Sequence, residues 1–295
     1  MKIEIEKIFI TSELSSGSGL AIADDMIWMV GDDVGYVVKS TVGDTDFCRI
    51  KLYENASEKR MEKPEKHDLE ACIIGKIDQE QLLFVFGSGG ISPHREMVFA
   101  LNLENTDKRF KWSTKTLYSA IRNKKGLKEN ELNIEGAALA GDKLVLFNRG
   151  KNFIILMKWN QFVEYLLQED AHNLPPFNII DVELPVVNDI QIGFSGACAI
   201  NENELLFTSS REETNDFITD GAIRGSYIGI LKLESETTVK LVTLTPFINK
   251  NGETIIDKLE AIEALNISGN KISAIAVADN DDGTSKLFYL TINRP

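Results

Sequence analysis

Apolar and polar residues alternate with a period near two along most of the chain, interrupted by short clusters of Gly, Asn and Asp. This is the pattern of half-buried β-strands joined by tight turns. One motif returns five times: a Ser or Glu, then Gly or Ala, then an apolar run, a polar turn and a second apolar strand. The copies are Ser18-Gly19-Leu20-Ala21, Glu70-Ala71-Cys72-Ile73, Glu135-Gly136-Ala137-Ala138, Ser195-Gly196-Ala197-Cys198 and Glu260-Ala261-Ile262. Successive copies stand 52 to 65 residues apart. A repeat on that scale, each copy long enough for four strands, predicts a β-propeller.

The strands are expected at 19–24, 26–31, 35–42 and 46–53 in the first unit, and at 70–77, 81–87, 96–103 and 109–117 in the second. The third unit reads 135–140, 143–148, 152–159 and 179–184, and the fourth 195–200, 203–209, 226–233 and 238–245. The fifth has only 260–267, 271–278 and 285–292. The chain begins, however, with an unpartnered strand, Ile3 to Ile10. Laid on the outside of the fifth unit, that strand completes the ring and covers an otherwise open edge. The expected architecture is therefore all-β: a five-bladed β-propeller of four-stranded antiparallel blades in one domain over 1–295. The blades fall near 17–60, 68–125, 133–190, 194–250 and 258–295 plus 1–12. Asn160–Glu169 and Leu117–Arg122 carry helical spacing. The charged stretches Glu58–Lys66 and Asn123–Asn130 read as exposed connections.

Composition adds a sign to this picture. The 295 residues carry a net charge of −13, which opposes nucleic acid and anionic membranes as partners, since both need a basic face. Cys48, Cys72 and Cys198 are too few and too scattered for a disulfide framework, and the last two, inside apolar strands, read as buried thiols. The first residues, Met1 to Glu6, do not read as a signal peptide, and no apolar run reaches the length expected of a membrane span. The expectation is a cytoplasmic monomer.

In a propeller the inner strand of each blade lines a central tunnel. The small residue after each repeated polar position then follows from close packing of five converging strands. The three glutamates do not. Glu70, Glu135 and Glu260 brought together would repel one another, and burial would raise their pKa values. They must bind protons, pair with cations, or hold a metal; bonding to backbone amides of neighbouring blades is the structural alternative. The oxygen-only set Ser18, Glu70, Glu135, Ser195 and Glu260 suits Ca2+, ahead of Mg2+ with its tighter octahedron, and lacks the His and Cys that zinc, copper or iron–sulfur sites use.

The axial order Ser, Glu, Glu, Ser, Glu resembles that of the soluble calcium-dependent nucleotidases, or apyrases, and the repeated Leu-Glu-Ala and Ile-Glu-Gly also resemble the wider group of phytase-like propellers. The segments Met29 to Val37, Gly193 to Gly196 and Lys258 to Glu263 are similar to the corresponding nucleotidase motifs. The resemblance implies five blades and a tunnel calcium held by this ordered set. Two departures stand against it: those nucleotidases are secreted or membrane-anchored, and where their third blade carries paired basic residues this chain has Phe147-Asn148-Arg149-Gly150.

Loops after the second strands should open beside the axial set. They offer Asp32 and Asp33 as bases for an attacking water, and Arg149, Arg211, Ser88 and Arg95 as contacts to phosphate oxygens. Asp279-Asn280-Asp281-Asp282 adds acids, or a solvated turn. His94 reads as a surface residue, and Gly87-Ser88-Gly89-Gly90 lacks the ending of a phosphate-binding P-loop. The expected function is calcium-assisted hydrolysis of a phosphoanhydride or phosphoester in a small phosphorylated molecule. The alternative is a non-catalytic propeller that binds a ligand or protein around a structural metal. A lactonase-like reading is disfavoured, because such metal shells mix in Asn and Asp.

Overall fold

The computed structural model describes residues 1–57, 59–90, 93–168, 173–213, 221–279 and 282–295. The chain opens with strand β1 (Lys2–Thr11). The first sheet then contains β2 (Gly17–Ala23), β3 (Met26–Gly31), β4 (Tyr36–Thr41) and β5 (Cys48–Lys51), and the second β6 (Leu69–Ile77), β7 (Glu80–Gly87), β8 (Met97–Asn102) and β9 (Arg109–Ser113). Helix α1 (Lys115–Lys125) leads to the third sheet: β10 (Ile134–Ala140), β11 (Lys143–Asn148), β12 (Phe153–Lys158) and, after helix α2 (Trp159–Leu166), β13 (Phe177–Asp181). A short hairpin, β14 (Val186–Val187) and β15 (Ile190–Gln191), precedes the fourth sheet of β16 (Gly193–Ala199), β17 (Glu204–Glu213), β18 (Ala222–Leu233) and β19 (Val239–Pro246). The fifth comprises β20 (Lys258–Ser268), β21 (Lys271–Asp279) and β22 (Ser285–Asn293), with β1 antiparallel to β22 on its outer edge.

The inner strands β2, β6, β10, β16 and β20 touch in that order and back to β2, so the ring is closed. The result is the expected all-β propeller of five blades, closed by the N-terminal strand. Sequence chemistry explains the turns. Asp24 and Asp25 join β2 to β3 with φ of 48° and 60°, and Asn188 and Asp189 join β14 to β15 with 51° and 62°. Two successive positive φ values are what a two-residue hairpin turn requires, and Asn and Asp tolerate them best.

Five apolar clusters form the core, one in each cleft between neighbouring blades. Trp28, Leu83 and Phe99 sit between the first and second blades, and Phe147, Phe194 and Phe207 between the third and fourth. The two helices wedge Leu117, Tyr118, Ile121, Phe162, Tyr165 and Leu166 between blades two and three. The sequence expectation at 109–117 ran too far: β9 stops at Ser113, because the apolar positions from Leu117 onward follow helical rather than strand spacing. Glu169, the expected end of α2, lies outside the described residues. Cys72 and Cys198 are buried in the clefts and Cys48 is exposed.

Candidate functional site

Each of the five repeated polar residues sits on a β-bulge. The pairing of β2 with β3 skips Ser18, and the pairings of β6, β10, β16 and β20 with their neighbours skip Glu70, Glu135, Ser195 and Glu260. A bulge leaves one residue outside the ladder and re-aims its side chain. The repeated motif is thus the signature of a bulge repeated around a ring. The following small residue is enforced by packing: a Cβ on Gly196 would lie 2.5 Å from the Glu260 carbonyl oxygen and 2.7 Å from the Ala261 Cα.

The two serines staple blades together. Ser18 Oγ donates to the carbonyl of Leu69, and Ser195 Oγ to that of Leu259, each at 2.5 Å. Both acceptors immediately precede an axial glutamate of the next blade. The three glutamates enter a larger ion network. Two residues before the axial positions stand Ser16, Asp68, Asn133, Gly193 and Lys258, and four of these supply side-chain partners. Asn133 Nδ2 donates to Glu135 Oε1 at 2.6 Å, Lys258 Nζ lies 2.7 Å from Glu260 Oε1, and Ser16 Oγ donates to Asp33 Oδ1 at 2.7 Å.

The network has two lobes. In one, Lys66 Nζ lies 2.5 Å from Asp32 Oδ2 and 2.6 Å from Asp68 Oδ1, while Arg95 Nη1 reaches Asp68 Oδ2 at 2.6 Å. Asp32, Asp68 and Glu70 present oxygens within 4.8 Å of one another, the one such trio among the described residues. In the other lobe, Arg149 Nη2 lies 2.6 Å from Glu212 Oε2 and its Nη1 3.3 Å from Glu135 Oε1. Lys258 bridges Glu260 to Glu212 Oε1 at 3.2 Å. The side chains of Lys66, Arg95, Arg149 and Lys258 are only 12 to 17% exposed, so these pairs escape the solvent screening that weakens surface ion pairs.

Burial pushes the Glu70 carboxyl well above its usual range, and Asp68 and Glu135 push the same way. Burial does the same to Glu260 against the pull of Lys258, and raises Asp32 against Lys66. Burial opposes the charges of Lys66 and Arg149, yet Asp68 and Asp32 hold the first protonated and Glu135 and Glu212 the second. Glu212 is held below the usual carboxylate range by Arg149 and Lys258 in spite of burial. With Asp33 neutralised by Arg60, six carboxylates (Asp32, Asp68, Glu70, Glu135, Glu212, Glu260) face four cations (Lys66, Arg95, Arg149, Lys258). The excess of two carboxylates is offset by Glu70 and Glu260, whose carboxyls burial pushes toward the protonated form. Glu260, 5% exposed, keeps Oε2 without a hydrogen-bond partner.

The remaining expected contacts are placed as follows. Asp33 is buried and saturated by Ser16 and Arg60. Ser88 Oγ donates to Asp68. Arg211 Nη2 donates to the Arg224 carbonyl at 2.7 Å, across its own hairpin. The residue of that segment that enters the ion network is Glu212, because β17 runs on to Glu213 with a bulge between Ser210 and Glu212. Lys66, expected on an exposed connection, is drawn inward by Asp32 and Asp68. His94 gives its carbonyl to His67 Nδ1 at 2.8 Å. Asn280 and Asp281 lie outside the described residues. From the sequence, Asp68 and Lys66 had no part in the site, Glu212 had only a place in the loop Arg211-Glu212-Glu213 beside the axial set, and Lys258 was only the start of a motif. The available signal was spacing: Lys258 opens β20 two residues before Glu260, and Asp68 stands two residues before Glu70, just ahead of β6.

These features define a closed five-bladed propeller with a charged hub. The chain belongs to the family described as "Family of unknown function (DUF6929)", whose profile matches residues 13–292. No curated protein matches the sequence significantly. Among solved structures it is similar to the major Malassezia sympodialis allergen Mala s 1, with a TM-score of 0.55 at 10% identity, over 94% of this chain and 93% of that one. It is also similar to the GH43 β-1,3-galactosidase BT0265, with a TM-score of 0.51 at 8% identity, over 96% of this chain and 59% of that one. At such identities the likeness shows the fold alone. No helix among the described residues is long and apolar enough to cross a membrane.

Proposed function

We propose that this protein is a calcium-binding propeller whose hub takes a small phosphorylated molecule and hydrolyses its phosphoanhydride or phosphoester bond. The observation that carries the reading is the buried Glu260 Oε2, left without a hydrogen-bond partner in a hub lined by carboxyl groups. All donors at the ring are oxygens, which suits a hard dication. Glu70, Glu135 and Glu260 would hold it after converging, since among the described residues only Asp32, Asp68 and Glu70 present oxygens within 4.8 Å of one another, with Ser18 and Ser195 offering hydroxyl lone pairs beside their inter-blade hydrogen bonds. Calcium there would polarise a phosphoryl oxygen and orient water. Of the two aspartates, Asp32 fits the role of base, since both oxygens of Asp33 are taken by Ser16 and Arg60. The substrate class rests on the resemblance of the axial order to the calcium-dependent nucleotidases.

A second reading, a non-catalytic ligand-binding propeller with a structural metal, is favoured by one observation. Ser88, Arg95 and Arg149 are all engaged by protein carboxylates. Metal analysis of protein purified without chelator, followed by phosphate-release assays on nucleotides and other phosphoesters, separates the two. One calcium per chain with chelator-sensitive release supports the hydrolase. One calcium with no release supports the binding module, and a chain that binds no calcium refutes both.

A further inference from the structure

The two grips on Arg149 are unequal. Its Nη2 meets Glu212 Oε2 at 2.6 Å, a charge-assisted bond of full strength. Its Nη1 meets Glu135 Oε1 at 3.3 Å and Oε2 at 3.5 Å, at the limit of hydrogen bonding. Glu135 has a better partner in Asn133 Nδ2, at 2.6 Å. Glu212 has a second tie to Lys258, so it is fixed from two sides. The guanidinium also has a place made for it. Gly193, the ring position lacking a side chain, leaves space that a Cβ would fill at 2.9 Å from Arg149 Cγ.

From this asymmetry we infer that Arg149 is a masked anion receptor: Glu212 anchors it, Glu135 covers its second amino group, and a cation engaging Glu135 uncovers that group for a phosphate oxygen. The inference rests on the calcium reading above and adds an order of binding to it. Without the cation, every basic group of the hub is engaged by a carboxylate, so none is left to receive an anion. Once Glu135 turns toward the dication, Arg149 keeps its position through Glu212 and presents a free, pre-oriented N–H pair. Glu212 is then a positioning residue, acting on the anion through Arg149.

The test is calorimetric titration of inorganic phosphate into the full chain, with and without calcium, and of calcium with and without phosphate. Phosphate should bind at least tenfold more tightly with calcium present, and calcium affinity should rise by the same factor with phosphate, because coupling between sites is reciprocal. Glu135→Gln keeps the bond to Asn133 but loses the charge, and should bind phosphate in the absence of calcium. Glu212→Gln should weaken the phosphate affinity of the calcium-loaded protein while leaving calcium binding within a few-fold. Thermal melts of both variants establish that they are folded. Calcium binding with no linkage to phosphate, or a folded Glu135→Gln that ignores phosphate, overturns the masking inference alone. A chain that binds no calcium overturns the reading beneath it as well.

Discussion

Ser195 Oγ donates a hydrogen bond to the carbonyl oxygen of Leu259, 64 residues away and in the next blade, at 2.5 Å. Ser18 makes the same bond to Leu69. Neither acceptor is free to find water, since Leu69 and Leu259 are fully buried. Ser195→Ala is expected to lower stability by about 1–3 kcal/mol, the cost of a buried group left unsatisfied. Urea denaturation measures it, and an unchanged midpoint would show that the staple has no energetic role.

Close approach of the inner strands predicts a graded response to added methyl groups. At Gly196 the new Cβ would strike backbone, 2.5 Å from the Glu260 oxygen, whereas at Gly136 its closest contact is 3.1 Å, to the Ala197 nitrogen. Gly196→Ala should destabilise by about 1–3 kcal/mol or more, as overpacking does, and Gly136→Ala by clearly less. The reverse order in thermal melts would contradict the packing account.

Burial should separate two ion pairs of similar length. Arg122 Nη1 meets Glu96 Oε1 at 2.7 Å with both side chains buried, whereas Lys108 and Glu80 pair on the surface. Removing Arg122 leaves an uncompensated buried carboxylate. Arg122→Met is expected to cost about 3–5 kcal/mol, and Lys108→Met under about 1 kcal/mol. Equal losses in chemical denaturation would refute the distinction.

Glu263, three residues after the axial Glu260, has its carboxyl pushed up to about 8 by burial. Below about pH 4.5 folded and unfolded chains both carry this proton. Between about 4.5 and 8 the folded chain keeps a proton that the unfolded chain has lost, so stability declines as pH rises through that window. Glu70 and Glu260 are shifted the same way and add to the decline. Glu263→Gln should flatten the slope between pH 5 and 8 in urea-midpoint measurements (roughly the span between the two pKa values). An unaltered slope would remove Glu263 from the account.

Calcium at about 100 times its dissociation constant should raise stability by about 2.7 kcal/mol, read as an increase in melting temperature. Glu260→Gln should abolish most of that increase. A calcium-induced shift that persists in Glu260→Gln would place the ion elsewhere.

The local code of this chain was enough for the architecture. Alternation set the strands, Asn, Asp and Gly set the turns, and the repeat around Ser18, Glu70, Glu135, Ser195 and Glu260 marked five blades, because these signals act within a few residues. The spare strand at Lys2–Thr11 could be assigned to the fifth blade since that blade alone was one strand short. The hub was legible only in part. The repeat named residues on the axis, but the partners of those residues come from other blades and from connections. Whether Lys66 lies in solvent or between Asp32 and Asp68, and whether Arg211 or Glu212 enters the network, depends on bulges and on long-range charge. Coulomb forces between residues dozens of positions apart have no period along the chain, so only the closed ring decides which charges meet.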